Sequence, residues 1–419
     1  MRAIKYRELK QLYGTLGGGQ AGTHLTEALE KRELKPTDID FCELAEAFFG
    51  YEFRRECDPA RPGVGGARRI LESVDAVDST AFLDITQRVI SNQLMGAFTL
   101  EANMASALVD FEGNVRLRNE RRPGITPVGD EGEVVHEGMP IPAQDFGEKY
   151  QDFGDNYKRG MIVGLTKEAL FFTGQSAEML RQASRVGEWL GVNKDKRIWQ
   201  TILGIQNNYN YNGTAYNTYN AAAIGAPAIV PQNIHGWALN TWHDIDRANR
   251  LFDRMVDPDT GEAIEISGMT VIVMPAQEMT ARSILTATES RTTGGTDTTI
   301  FANPVSGYSL GPVSRRARAI LNATGDYGDP DSVWVLGDFK KAFVYRENWP
   351  VTVVQEPLNA PAEFEQDIVV RYKATERGGC WVKRPHYVVI SSGSCGHSSS
   401  GETECTPDAW TGIDANAKP

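Results

Sequence analysis

An α+β architecture follows from three observations. From Ser332 to Ile390 apolar and polar residues alternate through several segments punctuated by Pro, Gly and Asn, the period-two pattern of strands. The blocks 79–111 and 178–204 instead carry apolar residues at three- and four-residue spacing, the mark of amphipathic helices. Residues 221–331 mix both patterns.

Taken in order, residues 24–50 hold two short helical patterns separated by Lys35-Pro36-Thr37-Asp38, with Thr37 or Asp38 placed to cap the second. Arg54 to Arg69, rich in Arg, Pro and Gly, reads as a linker or extended arm. A long helix follows, with Phe82, Ile85, Val89, Ile90 and Leu94 on one face and a break near Gly96. Residues 115–165 combine many charges with punctuating Gly and Pro and have strand-like runs at each end, so they read as a long projecting hairpin. An isolated hairpin is not stable in water, so this one needs a partner.

Thr166-Lys167-Glu168 introduces the strongest helix. Leu180, Ala183, Val186 and Leu190 recur on one face, and Ile198 and Ile202 resume it after a polar interval at Asn193 to Lys196. Trp189 and Trp199 are expected in core or interface packing. The Tyr/Asn-rich tract 206–220 reads as a surface loop, since it lacks the interleaved Lys and Arg of a surface that stacks on single-stranded nucleic acid. Trp242, Ile245, Leu251, Phe252 and Met255 form a helical stripe that ends at the Asp257-Pro258-Asp259-Thr260-Gly261 turn. Residues 269–275 read as a short buried strand, and Pro275 introduces a further helix. In the C-terminal part, Val333 and Val335, Phe343 and Tyr345, and Val351 and Val353 mark antiparallel strands. A bend at Asn348-Trp349-Pro350 separates the last two, and Ile368, Val370 and Tyr372 begin another strand. The Ser-, Gly- and acid-rich residues 391–419 read as a tail of low structural content.

Composition narrows the function. With 419 residues and 41% hydrophobic content the chain has material for two substantial cores. A net charge of −12 argues against a dedicated nucleic-acid binder, which carries a basic footprint. No run of about 18 apolar residues marks a membrane span, and the start has charges but no apolar core of a secretory signal. The five cysteines, at 42, 57, 380, 395 and 405, lack regular spacing and read as reduced thiols in a cytoplasmic setting.

Several chemical motifs fail on context. Gly307-Tyr308-Ser309-Leu310-Gly311 has the form of a nucleophile elbow, with Asp338 or Asp367 and then His386 in hydrolase order. Pro312 follows directly, however, and the upstream chain lacks alternating strands and helices. Asp257, Asp259 and Gly261 open like a calcium loop, but Gly268 stands where an acidic ligand is needed. Cys380, Cys395, His397 and Cys405 do not have zinc spacing. Gly17-Gly18-Gly19 lacks the Lys-Ser/Thr of a phosphate-binding loop. The basic runs Arg116 to Arg122 and Arg315 to Arg318 read as solvated faces, or as partners of acidic residues on neighbouring chains. No catalytic residue, cofactor or metal is expected.

The 165–204 block, from LTKEAL to ILG, the segment GDFKKAFVYRENWP and the strand RYKATERGG together resemble major capsid proteins of tailed bacteriophages with the HK97-type fold. The resemblance spans roughly residues 79–390. It implies an N-terminal helical or arm segment at 1–70 and an N-arm helix and lead-in at 71–127. An extended loop is implied at 128–158, a peripheral domain with its spine helix at 159–204, an axial domain at 205–331, peripheral strands at 332–390 and a tail at 391–419. It further implies a non-enzymatic shell protein of the virion, assembled in the bacterial host cytoplasm. Copies would form pentamers and hexamers, each extended loop clasping the next subunit, with portal and scaffold or maturation proteins as partners. Packaged double-stranded DNA would be confined rather than bound by sequence, with no membrane contact. Met139, Ile141, Phe146, Tyr150 and Phe153 are the expected inter-subunit contact residues. Lys149 and Lys158 match no cross-linking motif. The alternatives are an encapsulin-type compartment around protein cargo and a serine hydrolase using Ser309.

Overall fold

The computed structural model describes residues 11–12, 18–31, 44, 85, 88–98, 105–113, 115–116, 119–123, 150–166, 176–206, 209–220, 229–258, 261, 263–294, 297–324, 329–355 and 368–395. The helices labelled here are α1 (Gly18–Glu30), α2 (Ser176–Ile202), α3 (Trp242–Phe252), α4 (Glu278–Thr286), α5 (Arg315–Thr324) and α6 (Phe339–Ala342), and residues 88–98 are also helical. The strands are β1 (Asp110–Glu112), β2 (Glu120–Pro123), β3 (Tyr150–Phe153), β4 (Tyr157–Thr166), β5 (Tyr209–Tyr211), β6 (Thr214–Tyr216), β7 (Ile234–Trp237) and β8 (Thr270–Val273). They continue with β9 (Glu289–Gly294), β10 (Asp297–Ala302), β11 (Ser309–Leu310), β12 (Trp334–Gly337), β13 (Phe343–Gln355), β14 (Ile368–Val382) and β15 (Val388–Cys395). The chain forms two compact units, one of Met1–Ala102, Lys158–Lys194 and Trp349–Arg377, the other of Asn103–Tyr157, Asp195–Asn348 and Gly378–Pro419. No helix among the described residues is long and apolar enough to cross a membrane.

In the first unit the end of β13, the start of β14 and β4 lie side by side in that order. Alternation sends Val351, Val353, Ala374, Met161 and Val163 inward against Leu94, Phe98, Val186 and Leu190. The predicted helical face is buried at each described position, Ile85, Val89, Ile90 and Leu94. The helix at 88–98 runs through Gly96 without the expected break. At Gly187 a Cβ would collide with the Leu94 carbonyl oxygen, so the two helices approach as only glycine permits.

The second unit is built around a five-stranded sheet in the order β11-β8-β12-β15-β7. It has core on both faces. Val333, Val335, Ile272, Val388 and Ile390 enter one cluster, while Trp334, Leu336, Val271, Val273 and Val389 enter the other. β12 and β15 pair with β8 and β7 from the 205–331 block, because a strand apolar on both faces belongs at the centre of a doubly covered sheet.

Two further expectations change. β13 is one continuous strand through Asn348-Trp349-Pro350, with no bend. Its pairing with β1 covers Val344 to Arg346, so Pro350 lies past the point where a missing N–H would break that ladder. The Tyr/Asn tract is a hairpin rather than a surface loop. Asn212 and Gly213, with φ 48° and 78°, form the two-residue turn between β5 and β6. Tyr219 is buried beyond it and donates to the Ile202 carbonyl at 2.5 Å.

The polar interval of α2 is buried in part, at Lys194 and Asp195, while Lys196 is exposed. The Asp195 carboxylate accepts from the Ala105 N–H at 3.0 Å and from Arg316 at 3.2 Å, and Arg197 donates to the Gly378 carbonyl at 2.8 Å. Asp195 and Arg197 therefore each have a hydrogen-bonding partner, the condition under which burial of a charge is tolerated. Ile198, Trp199 and Ile202 resume the apolar face as expected, and Trp199 is a core residue.

Gly187→Ala tests the helix approach. The added methyl would gain about 1 kcal/mol of helix propensity in open space; here overpacking costs about 1–3 kcal/mol, so a lowered midpoint in urea unfolding is expected. His235, stacked on Trp237 at 5.3 Å and edge-on to Trp334 at 4.9 Å, is a second test. Burial pushes its pKa from 6.5 down to about 3, so it stays neutral in the fold while the unfolded chain takes a proton. Stability is expected to fall as pH drops from 6.5 towards 3, and a pH series of unfolding curves should show a shallower fall for His235→Phe.

Candidate functional site

The stem of the expected projecting segment is a folded piece of the second unit. β2 pairs antiparallel with β3 in the register Glu120↔Phe153 to Pro123↔Tyr150, and β3 pairs in turn with β5. Residues 124–149 leave from Pro123 and return at Tyr150. Arg121 faces Asp152 directly across the strands and bonds it at 2.9 Å, with its guanidinium 3.9 Å from the centre of the Tyr150 ring.

Beneath the stem lies a cluster of two arginines and two glutamates. Arg346, on β13, is fully buried, a placement that requires pairing. Its guanidinium reaches Glu112 of β1 at 3.4 Å and Glu120 of β2. Arg122 completes the group, bonding Glu112 at 2.8 Å and Glu120 at 3.2 Å. The Phe153 ring sits between the two cations, 5.0 Å from the Arg122 guanidinium and 4.9 Å from that of Arg346. Burial pushes the Glu112 carboxyl up, but the bond and charge of Arg122 and the charges of Arg346 and Lys383 outweigh it and hold the pKa below the usual value.

A second, neutral network ties the return strand down. The Asn156 side chain donates to Asn348 Oδ1 at 2.8 Å and accepts from Trp381 Nε1 at 2.9 Å. Asn348 donates onward to the Val115 carbonyl at 2.7 Å, and Gln151 donates to the Val382 carbonyl at 2.7 Å. Residues expected to bend the chain at Asn348 instead bracket the stem.

The expected contact residues therefore divide. Met139, Ile141 and Phe146 lie outside the described residues. Phe153 is corrected: it is 1% exposed and packs with Val344 and Trp381 inside its own chain, so it cannot serve as a docking side chain. Tyr150 is half-buried with Arg121 on one face, a stem residue as well. Part of the basic runs is paired within the chain. Arg121, Arg122, Arg316 and Arg318 pair with Asp152, Glu112, Asp195 and Asp331 of the same chain.

The weighed motifs resolve into structure. Ser309 opens β11, which pairs in parallel with β8, and its hydroxyl lies 2.9 Å from that of Thr270. Asp338 caps α6, and His386 is buried in the 3-10 turn Pro385–Tyr387. Ser309 thus continues a strand instead of turning sharply into a helix, as an elbow requires. The Gly261 N–H donates to the Asp257 carbonyl at 2.9 Å and closes a turn. Cys380 is buried in the core, and burial pushes its thiol up to about 12, leaving it protonated.

Arg346→Met should leave two glutamates sharing one arginine. Breaking a buried pair in this way costs about 3–5 kcal/mol. The expected outcome is a lower unfolding midpoint and faster amide exchange at 120–123 and 150–153. Unchanged exchange there would show that the cluster does not hold the stem.

Residues 156–391, more than half of the chain, match a family model described as phage capsid protein. No curated protein matches. Among solved structures, the Cyanophage Pam1 capsid is 12% identical with a TM-score of 0.38, over 65% of this chain and 83% of that one. A Mycobacterium phage Che8 structure is 16% identical with a TM-score of 0.37, over 69% and 90%. A virus-like particle from Pyrococcus furiosus is 12% identical with a TM-score of 0.33, over 71% and 97%. On the strength of the 156–391 match, the chain belongs to the phage capsid protein family.

Proposed function

We propose that the chain is the major shell subunit of a tailed-phage head of the HK97 type, and that residues 124–149 clasp a neighbouring copy. The observation that carries the clasp is the stem. Two arginines, two glutamates and Phe153 fix the base of a segment whose own sequence offers little core. A long segment on a firm base transmits position to whatever it touches, which is what repeated assembly of identical subunits requires. Copies form pentamers and hexamers, and the closed shell confines double-stranded DNA without reading its sequence. Portal and scaffold or maturation proteins complete the head in the host cytoplasm. The role is assembly rather than catalysis.

The boundaries of the test follow from the fold. Gln151 and Phe153 are buried, so an excision must stop before Tyr150. Replacing residues 126–147 with a short Gly/Ser linker should leave cooperative unfolding and abolish particles seen by electron microscopy and light scattering. A segment of this length can bury on the order of 1,000 Å² against a neighbour, the scale of a specific interface. Normal shells from the shortened chain would refute the clasp.

A further inference from the structure

Helix α3 divides into two faces. Ile245, Ala248 and Phe252 turn into the core of the second unit. On the other side His243, Arg247 and Arg250 follow one another at four- and three-residue spacing, which aligns them along the helix. Asp253 keeps a right-handed helical backbone at φ −60° and ψ −20°, so Arg254 continues the line by one more turn. At 1.5 Å per residue the stripe rises about 16 Å. His243, Arg250 and Arg254 are exposed and Arg247 is half-buried. The carboxylates of the same helical surface, Asp246 and Asp253, lie on one flank of the stripe.

Aromatic rings seat part of this stripe. The Arg247 guanidinium lies 5.3 Å from the centre of the Trp237 ring, and the His243 ring lies 3.7 Å from that of Trp242. Arg250 bonds Asp246 at 2.7 Å, whereas Arg247 and Arg254 form no ion pair among the described residues. A chain of net charge −12 thus presents a line of three arginines that its own carboxylates do not neutralise. The exposed side chains of the line include no large apolar one, so it lacks the anchors that carry protein–protein interfaces. A regular polyanion needs none. Duplex DNA carries a charge about every 1.7 Å of its axis, so a run of this length meets several phosphates whatever sequence lies against it. We infer that His243, Arg247, Arg250 and Arg254 form a contact strip for the phosphate backbone of the enclosed duplex. The inference rests on the shell reading, and it gives the confined DNA a specific place on the wall without sequence readout.

The test measures binding of two labelled DNA duplexes of unrelated sequence to the purified full-length chain by fluorescence anisotropy over a salt series. Both duplexes should bind equally, and three arginine contacts predict a slope of log K against log salt of about −2.7. Arg247→Gln with Arg254→Gln should bind more weakly and reduce the slope to about −0.9. Arg247→Lys with Arg254→Lys keeps the charges and should keep the slope; a loss as large as that of the glutamine variant would overturn the strip as a charge contact. Unchanged affinity in the glutamine variant, or no binding by the unaltered chain at about 50 mM salt, would overturn it too. If the glutamine variant kept its duplex affinity but formed no shells, the stripe would belong to a neighbouring copy. Electron microscopy of the same samples separates the two readings. DNA-filled shells with an unaltered salt slope in the glutamine variant would keep the shell and reject the strip, whereas a chain that forms no shells but binds duplex through these arginines would keep the strip and reject the shell.

Discussion

The buried guanidinium of Arg346 is the constraint on which the stem formed by β2 and β3 depends. Taking a cation out of water is costly unless geometry supplies opposite charges, and here β1 and β2 each bring a glutamate to it. Those strands cannot shift without exposing an unpaired charge in an apolar setting, and Arg122 extends the same requirement to the stem. The group is neutral as a whole, two cations against two anions, and Phe153 fills the space between them. An apolar core of equal volume would tolerate small displacements of the stem; a network of fixed donors and acceptors does not.

This explains why the segment that leaves at Pro123 and returns at Tyr150 can be long and poor in core residues. Its ends need no help from its middle. The strands at its base are held by the charge cluster on one side and by Asn156, Asn348 and Trp381 on the other. The sheet of the second unit, with core on both faces, gives this base a rigid support. Among the described residues, the first unit's sheet carries Lys158 and Lys373 beside the exposed Ile162 and Val354 on the face opposite its core.

Much of this was legible in the residues because it follows from local periodicity. The buried stripe at Ile85, Val89, Ile90 and Leu94, the course of α2 and the buried strand β8 all express patterns confined to a few turns or a few residues. What was not legible depends on pairing between distant segments. Whether Val333 to Leu336 sits beside β13 or beside β8 is decided by which neighbours cover both of its faces. The Asn212-Gly213 turn was an available signal, since Asn-Gly between alternating tyrosines favours a tight hairpin, and it was outweighed by the polarity of the tract. Arg346 carried a fainter signal: it shares the face of Val344, so a charge at that position implied a buried partner. Its partners, Glu112 and Glu120, lie over two hundred positions away in the chain, and no local pattern points to them. Phe153 was misplaced for the same reason, since an aromatic residue near a loop looks like an anchor for a neighbour until its own chain is seen to close over it.

A cryo-EM reconstruction of the purified, assembled protein tests the central claim most directly. The account predicts a closed shell in which residues 124–149 of each subunit leave an ordered stem and lie across an adjacent copy. Subunits that form no shell, or a shell in which this segment folds back on its own chain, would contradict it.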